Sequence, residues 1–237
     1  MGESGGTGIQ SRLVDLIRHG EVEGGPCFRG RQDDPLSDVG WAQLEAAIGL
    51  DTRRSALKKI NRAQVSEPNV SALNGGVIAG TSDAAPWDRI LCSPAARCAR
   101  FANRLGARLG LPVDEVDALR ERDFGAWEGL RADQIPLQDL SRFWADPSTY
   151  DPPDSETFLA FRQRVLDGWR RSTDSGAHLL LITHGGVIRV ILGELLGIPA
   201  ARLILLEVPP ACHTRLRVPI SGGLPSLIAH GCGPPDV

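Results

Sequence analysis

Twice along this chain a short apolar run stops at a His-Gly pair. Leu13-Val14-Asp15-Leu16-Ile17 leads into Arg18-His19-Gly20, and the run from His178 to Thr183 leads into His184-Gly185. Apolar runs of about four to eight residues are strand-sized, and near-continuous ones belong to strands buried on both faces. Such strands need helices above and below them. The sequence supplies these as amphipathic stretches between the runs. The fold class is therefore α/β: a three-layer α/β/α sandwich with a mainly parallel sheet. Arg89-Ile90-Leu91-Cys92 reads as another strand, Val113 to Val116 as a weak one, and Leu203 to Val208 and Thr214 to Val218 as two more.

The helices follow from caps and stripes. Ser37 or Asp38 caps a helix with Trp41, Leu44, Ala47 and Ile48 on one face. Pro94 opens a helix running to Leu109 and closed by Gly110. Glu156 to Arg171 carries Phe158, Phe161, Val165 and Trp169 as an inner stripe, and Gly185 to Leu196 ends at Gly197. Residues 120 to 154 read as a connecting region.

A 237-residue chain that is 42% hydrophobic builds a full core, so one domain is expected over residues 1–237. Residues 51–86 read as an inserted loop, rich in Ser, Asn, Gly and Pro, with a short helix over Ser55 to Gln64. The termini, 1–11 and 225–237, read as flexible. A net charge of −3 argues against a nucleic-acid partner. No apolar run approaches the roughly 18 residues of a membrane span. Cys27, Cys92, Cys98, Cys212 and Cys232 lack C-x-x-C spacing, so neither a disulfide framework nor a zinc site is expected. With no secretory leader in view, the expected location is the cytoplasm.

A lone His at a strand end is more often structural than catalytic. Here His19 has Arg18 beside it, His184 ends another strand, and Arg97 lies one turn into a helix that follows a third. In open α/β sheets ligands bind beyond the carboxyl ends of the strands. Buried cations cost several kcal/mol each unless paired, and these four groups repel one another. An anion relieves that repulsion. A phosphoryl group fits best, because a guanidinium can clamp two of its oxygens.

Arg18-His19-Gly20-Glu21 resembles the signature of the histidine phosphatase superfamily, the phosphoglycerate mutase-like fold. Four further segments follow in the family's order. They are Gly30 to Ser37, Ser93-Pro94-Ala95-Ala96-Arg97, Glu121-Arg122-Asp123-Phe124-Gly125-Ala126-Trp127-Glu128-Gly129, and Thr183-His184-Gly185-Gly186. The resemblance implies that His19 is the nucleophile and forms a phosphohistidine. It implies that Arg18, Arg97 and His184 bind the phosphoryl oxygens, with Gly185 beside them, and that Glu121 gives a proton to the leaving alkoxide. It implies no metal and no cofactor. A protonated His184 would strengthen the pocket.

The neighbours carry plainer expectations. Glu21 hydrogen-bonds within its loop, Glu128 braces its own loop rather than acting as the acid, and Ser93 caps a helix. Arg29 and Arg31 face substrate or solvent, and Arg189, on the helix after His184, faces the surface in preference to the pocket rim. The stretches around Phe124 to Gly129, Trp144 to Pro153, Ser155 to Phe158 and Thr183 to Arg189 resemble the alpha-ribazole phosphatase-like branch. That branch acts in cobalamin lower-ligand assembly, and it implies hydrolysis of a small phosphate ester such as alpha-ribazole 5′-phosphate. The rivals are a phosphoglycerate or sugar-phosphate mutase, a fructose-2,6-bisphosphatase-like enzyme, and a catalytically idle phosphate-binding protein. The mutases' Trp-Asn pair is absent after Glu21, and Asp154-Ser155 replaces a usual Gly-Gly. The expected partner is a small phosphorylated substrate; a homodimer stays open.

Overall fold

A computed structural model of the chain describes residues 11–49, 86–174 and 176–231. Six strands form one sheet: β1 (Ser11–Arg18), β2 (Arg89–Cys92), β3 (Val113–Glu115), β4 (His178–Thr183), β5 (His213–Pro219) and β6 (Ser226–Gly231). Their spatial order is β3-β2-β4-β1-β5-β6. The pairings β3–β2, β2–β4 and β4–β1 are parallel, while β1–β5 and β5–β6 are antiparallel.

Among the described residues there are five α-helices, α1 (Asp38–Ala47), α2 (Ala96–Leu109), α3 (Leu137–Ala145), α4 (Phe158–Ser172) and α5 (Gly185–Leu196), of which α1, α2, α4 and α5 pack on the sheet. Alternation along the strands splits the core in two. Val14, Leu16, Leu91, Leu179 and Leu181 pack with Phe161 and Val165 of α4 and with Val187 and Ile191 of α5. Ile17, Ile90, Cys92, Leu180 and Ile182 face Leu44 of α1 and Phe101 and Leu105 of α2. This is the three-layer sandwich that the apolar runs require.

Most helix ends follow the sequence signals, but α2 starts at Ala96, beyond Pro94, and α4 at Phe158, beyond Glu156, after a Thr157 cap. Ser37 Oγ accepts the Gly40 N–H at 3.1 Å and caps α1. Gly110 and Gly197 close α2 and α5 in the left-handed conformation, at φ 68° and 67°. Glycine serves a different purpose at the end of β1. A Cβ on Gly20 would collide with the Gly40 carbonyl and sit 2.7 Å from Gly40 Cα, so the loop after β1 lies directly on α1.

Three expectations are corrected. Leu203 to Val208 is not a strand: Ala200–Leu205 forms a 3-10 helix. The carbonyls of this stretch are taken by arginine side chains, Leu206 by Arg189 and Val208 by Arg18, which leaves no ladder to join. The expected flexibility of 225–237 does not describe 226–231, which pair with β5. The connecting region 120–154 is itself folded, through α3 and a small aromatic core of Trp127, Ile135 and Phe143. The predicted insertion at 51–86 lies outside the described residues apart from Pro86, as do its short helix and residues 1–10 and 232–237. Among the described residues, no helix is long and apolar enough to cross a membrane.

Candidate active site

Strand register builds the centre. β1 and β4 run parallel with Arg18 opposite Thr183, so the next residues, His19 and His184, leave the sheet side by side. The His19 N–H donates to the Thr183 carbonyl at 2.8 Å, and the two imidazoles lie 5.2 Å apart, edge to face. β2 ends one residue lower, with Cys92 opposite Ile182, and brings Ser93 beneath His184.

The His19 tautomer is set by the backbone. Nδ1 lies 2.8 Å from the Gly20 carbonyl, which can only accept, so Nδ1 carries the proton. Nε2 keeps its lone pair. Burial, then the charges of Arg18 and Arg97, hold the His19 pKa well below the ordinary imidazole value. His184 is fully buried, and its pKa is depressed by burial and by Arg97. Both influences favour the neutral His184 ring over the protonated one that would strengthen the pocket. Its Nε2 lies 2.8 Å from Ser93 Oγ, which also accepts the Ala95 N–H at 3.3 Å. Ser93 therefore positions His184 as well as serving the start of α2.

Among the described residues, three buried nitrogens around these rings have no hydrogen-bond partner: Arg18 Nε, Arg97 Nε and His184 Nδ1. Arg97 is 1% exposed. Its terminal nitrogens hold the carbonyls of Gln32 at 2.8 Å and Gly30 at 3.1 Å, so only Nε is uncommitted. Arg18 gives one terminal nitrogen to the Val208 carbonyl. A Cβ on Gly185 would lie 3.6 Å from Arg18 Nε and 3.3 Å from a terminal nitrogen of Arg189. The start of α5 thus sits against both guanidiniums, with its N-terminal dipole pointing the same way.

Glu121 joins from the far side of α5. Its carboxylate accepts the Gly186 N–H at 2.9 Å and the Arg122 N–H at 3.0 Å. Arg164 holds the backbone there, reaching the carbonyls of Ala118, Arg120 and Glu121 while pairing with Glu156 at 2.7 Å. Glu128 accepts four backbone N–H groups, from Gly30, Arg31, Gln32 and Phe124. Its carboxylate and the Arg97 guanidinium together grip both sides of the 29–32 loop.

The structure brings Arg18, His19, Arg97, His184, Gly185 and Glu121 together. It does not bring Arg29 onto the pocket, and Arg31 reaches only an open cleft that it lines with Glu121. Arg29 is spent on Asp34 at 2.6 Å and on the carbonyls of Gly25 and Glu23, and reaches His19 only through its field. The Arg31 side chain is 81% exposed and pairs with Asp123 at 3.0 Å. Arg189, expected at the surface, is instead half-buried beside Gly185, with Nε on the Leu206 carbonyl. Among the described residues, no group of three His, Cys, Asp or Glu side chains could hold a metal ion.

A family model described as the histidine phosphatase superfamily (branch 1) matches residues 78–227. The chain belongs to this superfamily. It is 32% identical over 197 residues to the bifunctional protein Rv2228c of Mycobacterium tuberculosis, a match covering 81% of this chain. The chain spans about half, 46%, of that relative's length. It is 25% identical to the adenosylcobalamin/alpha-ribazole phosphatase of Salmonella typhimurium, covering 86% of this chain and 89% of the relative. The solved structure of Bacillus stearothermophilus YhfR shares the fold, with a TM-score of 0.69 at 23% identity over 92% of this chain and 96% of that one.

Proposed function

We propose that this chain is a metal-independent phosphomonoesterase that works through a phosphohistidine at residue 19. The observation that carries the reading is the set of three unpartnered buried donors, Arg18 Nε, Arg97 Nε and His184 Nδ1, beside an imidazole whose Nε2 is unprotonated. Buried donors without partners are costly, and a phosphoryl group satisfies all three at once.

The steps balance without an added reagent. His19 Nε2 attacks phosphorus, the ester P–O bond breaks, and the leaving oxygen takes a proton from the Glu121 carboxyl. Water then attacks the phosphohistidine and passes a proton to the Glu121 carboxylate. The P–N bond breaks, and inorganic phosphate leaves. The guanidiniums and the start of α5 stabilise charge on the non-bridging oxygens throughout. His184 contributes as a neutral donor through Nδ1, which requires the Ser93 hydroxyl to serve Nε2.

Among small phosphate esters, alpha-ribazole 5′-phosphate is the specific candidate. It rests on the resemblance of the Phe124–Gly129 and Thr183–Arg189 segments and on the similarity to the Salmonella typhimurium phosphatase. The test is turnover of purified protein on alpha-ribazole 5′-phosphate beside fructose bisphosphates and phosphoglycerates, with His19→Ala as the control. Phosphate release that vanishes in the variant supports the reading. Phosphoryl transfer to a second hydroxyl instead of water would favour a mutase, and binding without turnover an idle phosphate-binding protein.

A further inference from the structure

We infer that Arg189 is a positioning residue for Arg18, acting through the 206–208 segment that both side chains hold. The inference rests on the phosphatase reading for the role of Arg18 and adds a residue to that site. Leu206 is extended, but among the described residues the segment joins no strand ladder. Its three successive carbonyls go instead to side chains from three elements. Leu206 accepts from Arg189 Nε of α5 at 2.9 Å, Glu207 from His230 Nε2 of β6 at 2.7 Å, and Val208 from a terminal nitrogen of Arg18, at the end of β1, at 2.6 Å. Successive groups of an extended chain point to opposite sides. Arg189 and Arg18 therefore hold one side of the segment and His230 the other. The His230 tautomer agrees: Nε2 faces a carbonyl that only accepts, so it carries the proton, and Nδ1 accepts from Thr214 Oγ1 at 2.7 Å.

Arg18 depends on this segment for its aim. Among the described residues, the Val208 carbonyl is the one hydrogen-bond partner of its side chain. Its Nε is one of the buried donors left for the phosphoryl group. Where Val208 sits thus decides where that donor points. Placing Arg189 nearby has an electrostatic cost: burial lowers the Arg18 pKa and the Arg189 charge lowers it further, with Glu121 opposing both. The bond from Arg189 to Leu206, two residues before Val208, supplies the reason for a second guanidinium here.

Calorimetric titration of the full chain with inorganic phosphate reads Arg18 without requiring turnover. Arg189→Met keeps the apolar stem and removes the donors, and should weaken phosphate binding about tenfold, the scale of one misdirected charge-assisted hydrogen bond. Arg18→Met should weaken it at least as much. Because Arg189 acts through Arg18, adding Arg189→Met to Arg18→Met should change Kd by less than about twofold. Thermal melting reports whether each variant is folded. His230→Ala loosens the same segment from its other side, and should give a smaller loss that also vanishes in the Arg18→Met background; it carries the test if Arg189→Met does not fold. An unchanged Kd in the single variants, a loss that persists in full in Arg18→Met, or a wild type that binds no phosphate would overturn the inference. Coupling of the two arginines in a protein that hydrolyses no phosphate ester would uphold the positioning role and refute the phosphatase reading. Hydrolysis through His19 with no such coupling would do the reverse.

Discussion

Replacing Glu128 by Gln tests how far the phosphoryl pocket depends on a carboxylate that touches no reacting atom. Glu128 accepts hydrogen bonds from four backbone N–H groups, at 2.8–3.1 Å. The amide keeps one acceptor oxygen and turns an NH2 group toward the same donors, so about two of the four lose their partner. Charge-assisted bonds contribute about 1.5–3 kcal/mol each, and the half-buried setting of Glu128 places these at the lower end. The loss is about 3 kcal/mol, which for a chain of this size lowers Tm by about 6–12 °C. The freed 29–32 loop carries the carbonyls that hold Arg97. A displacement of about 1 Å at a binding group can cost about 100-fold in rate. We expect kcat/KM to fall by about 10–100-fold, by the same factor for p-nitrophenyl phosphate and for an alkyl phosphate, with weaker inhibition by inorganic phosphate. Differential scanning fluorimetry and steady-state kinetics at a temperature where the variant is folded supply both readings. An unchanged Tm would refute the bracing account. A loss confined to alkyl esters would make Glu128 the proton donor instead.

Glu121→Gln should behave oppositely, losing about 100-fold or more on alkyl phosphates and much less on p-nitrophenyl phosphate; equal losses would remove Glu121 from proton transfer. The depressed His19 pKa keeps Nε2 available at mildly acidic pH, so the acidic limb of kcat/KM should lie well below the ordinary imidazole range. Arg97→Leu removes a positive charge and should move that limb upward, and a wild-type limb near the free-imidazole value would contradict the assignment. Buried Asp15 provides a stability prediction. Burial alone would raise its pKa, but bonds from His178, His213, Arg215 and Trp87 reverse that and hold it far below the usual carboxylate range. A carboxylate depressed in the folded state stabilises above its unfolded pKa of about 3.9 and loses that contribution as pH falls toward the folded value. Asp15→Asn should therefore cost about 3–5 kcal/mol at neutral pH, and the gap in Tm from wild type should narrow below about pH 4. A gap that widens in acid would reverse the sign.

What could be read from residue order was whatever the backbone repeats locally. The centre of β1, broken only by Asp15, and nearly all of β4 are apolar, and a parallel sheet places their ends together, so Arg18, His19 and His184 could be grouped before any coordinates. Arg97 followed from its place at the start of the helix after β2. Contacts between distant segments were not readable in the same way. The aromatic core of Trp127, Ile135 and Phe143 joins turns and α3 in a region without regular periodicity, so 120–154 read only as a connection. Leu203 to Val208 has a strand's composition, but its carbonyls face Arg18 and Arg189, a choice made by tertiary structure. The 226–231 stretch looked like a tail because Gly and Pro surround it, yet pairing with β5 makes it the sheet edge. Arg29 was a balanced choice between substrate and solvent, and the structure gives a third answer, a strut within its own loop.

The central claim is covalent: phosphorus bonds to His19 Nε2 during turnover. Rapid quenching in alkali with a labelled phosphate ester, followed by peptide mapping, measures this directly. The account predicts one labelled peptide, containing residue 19, with the phosphoryl group on Nε2 and no label in His19→Ala. Label on another residue, or sustained turnover in His19→Ala, would contradict it.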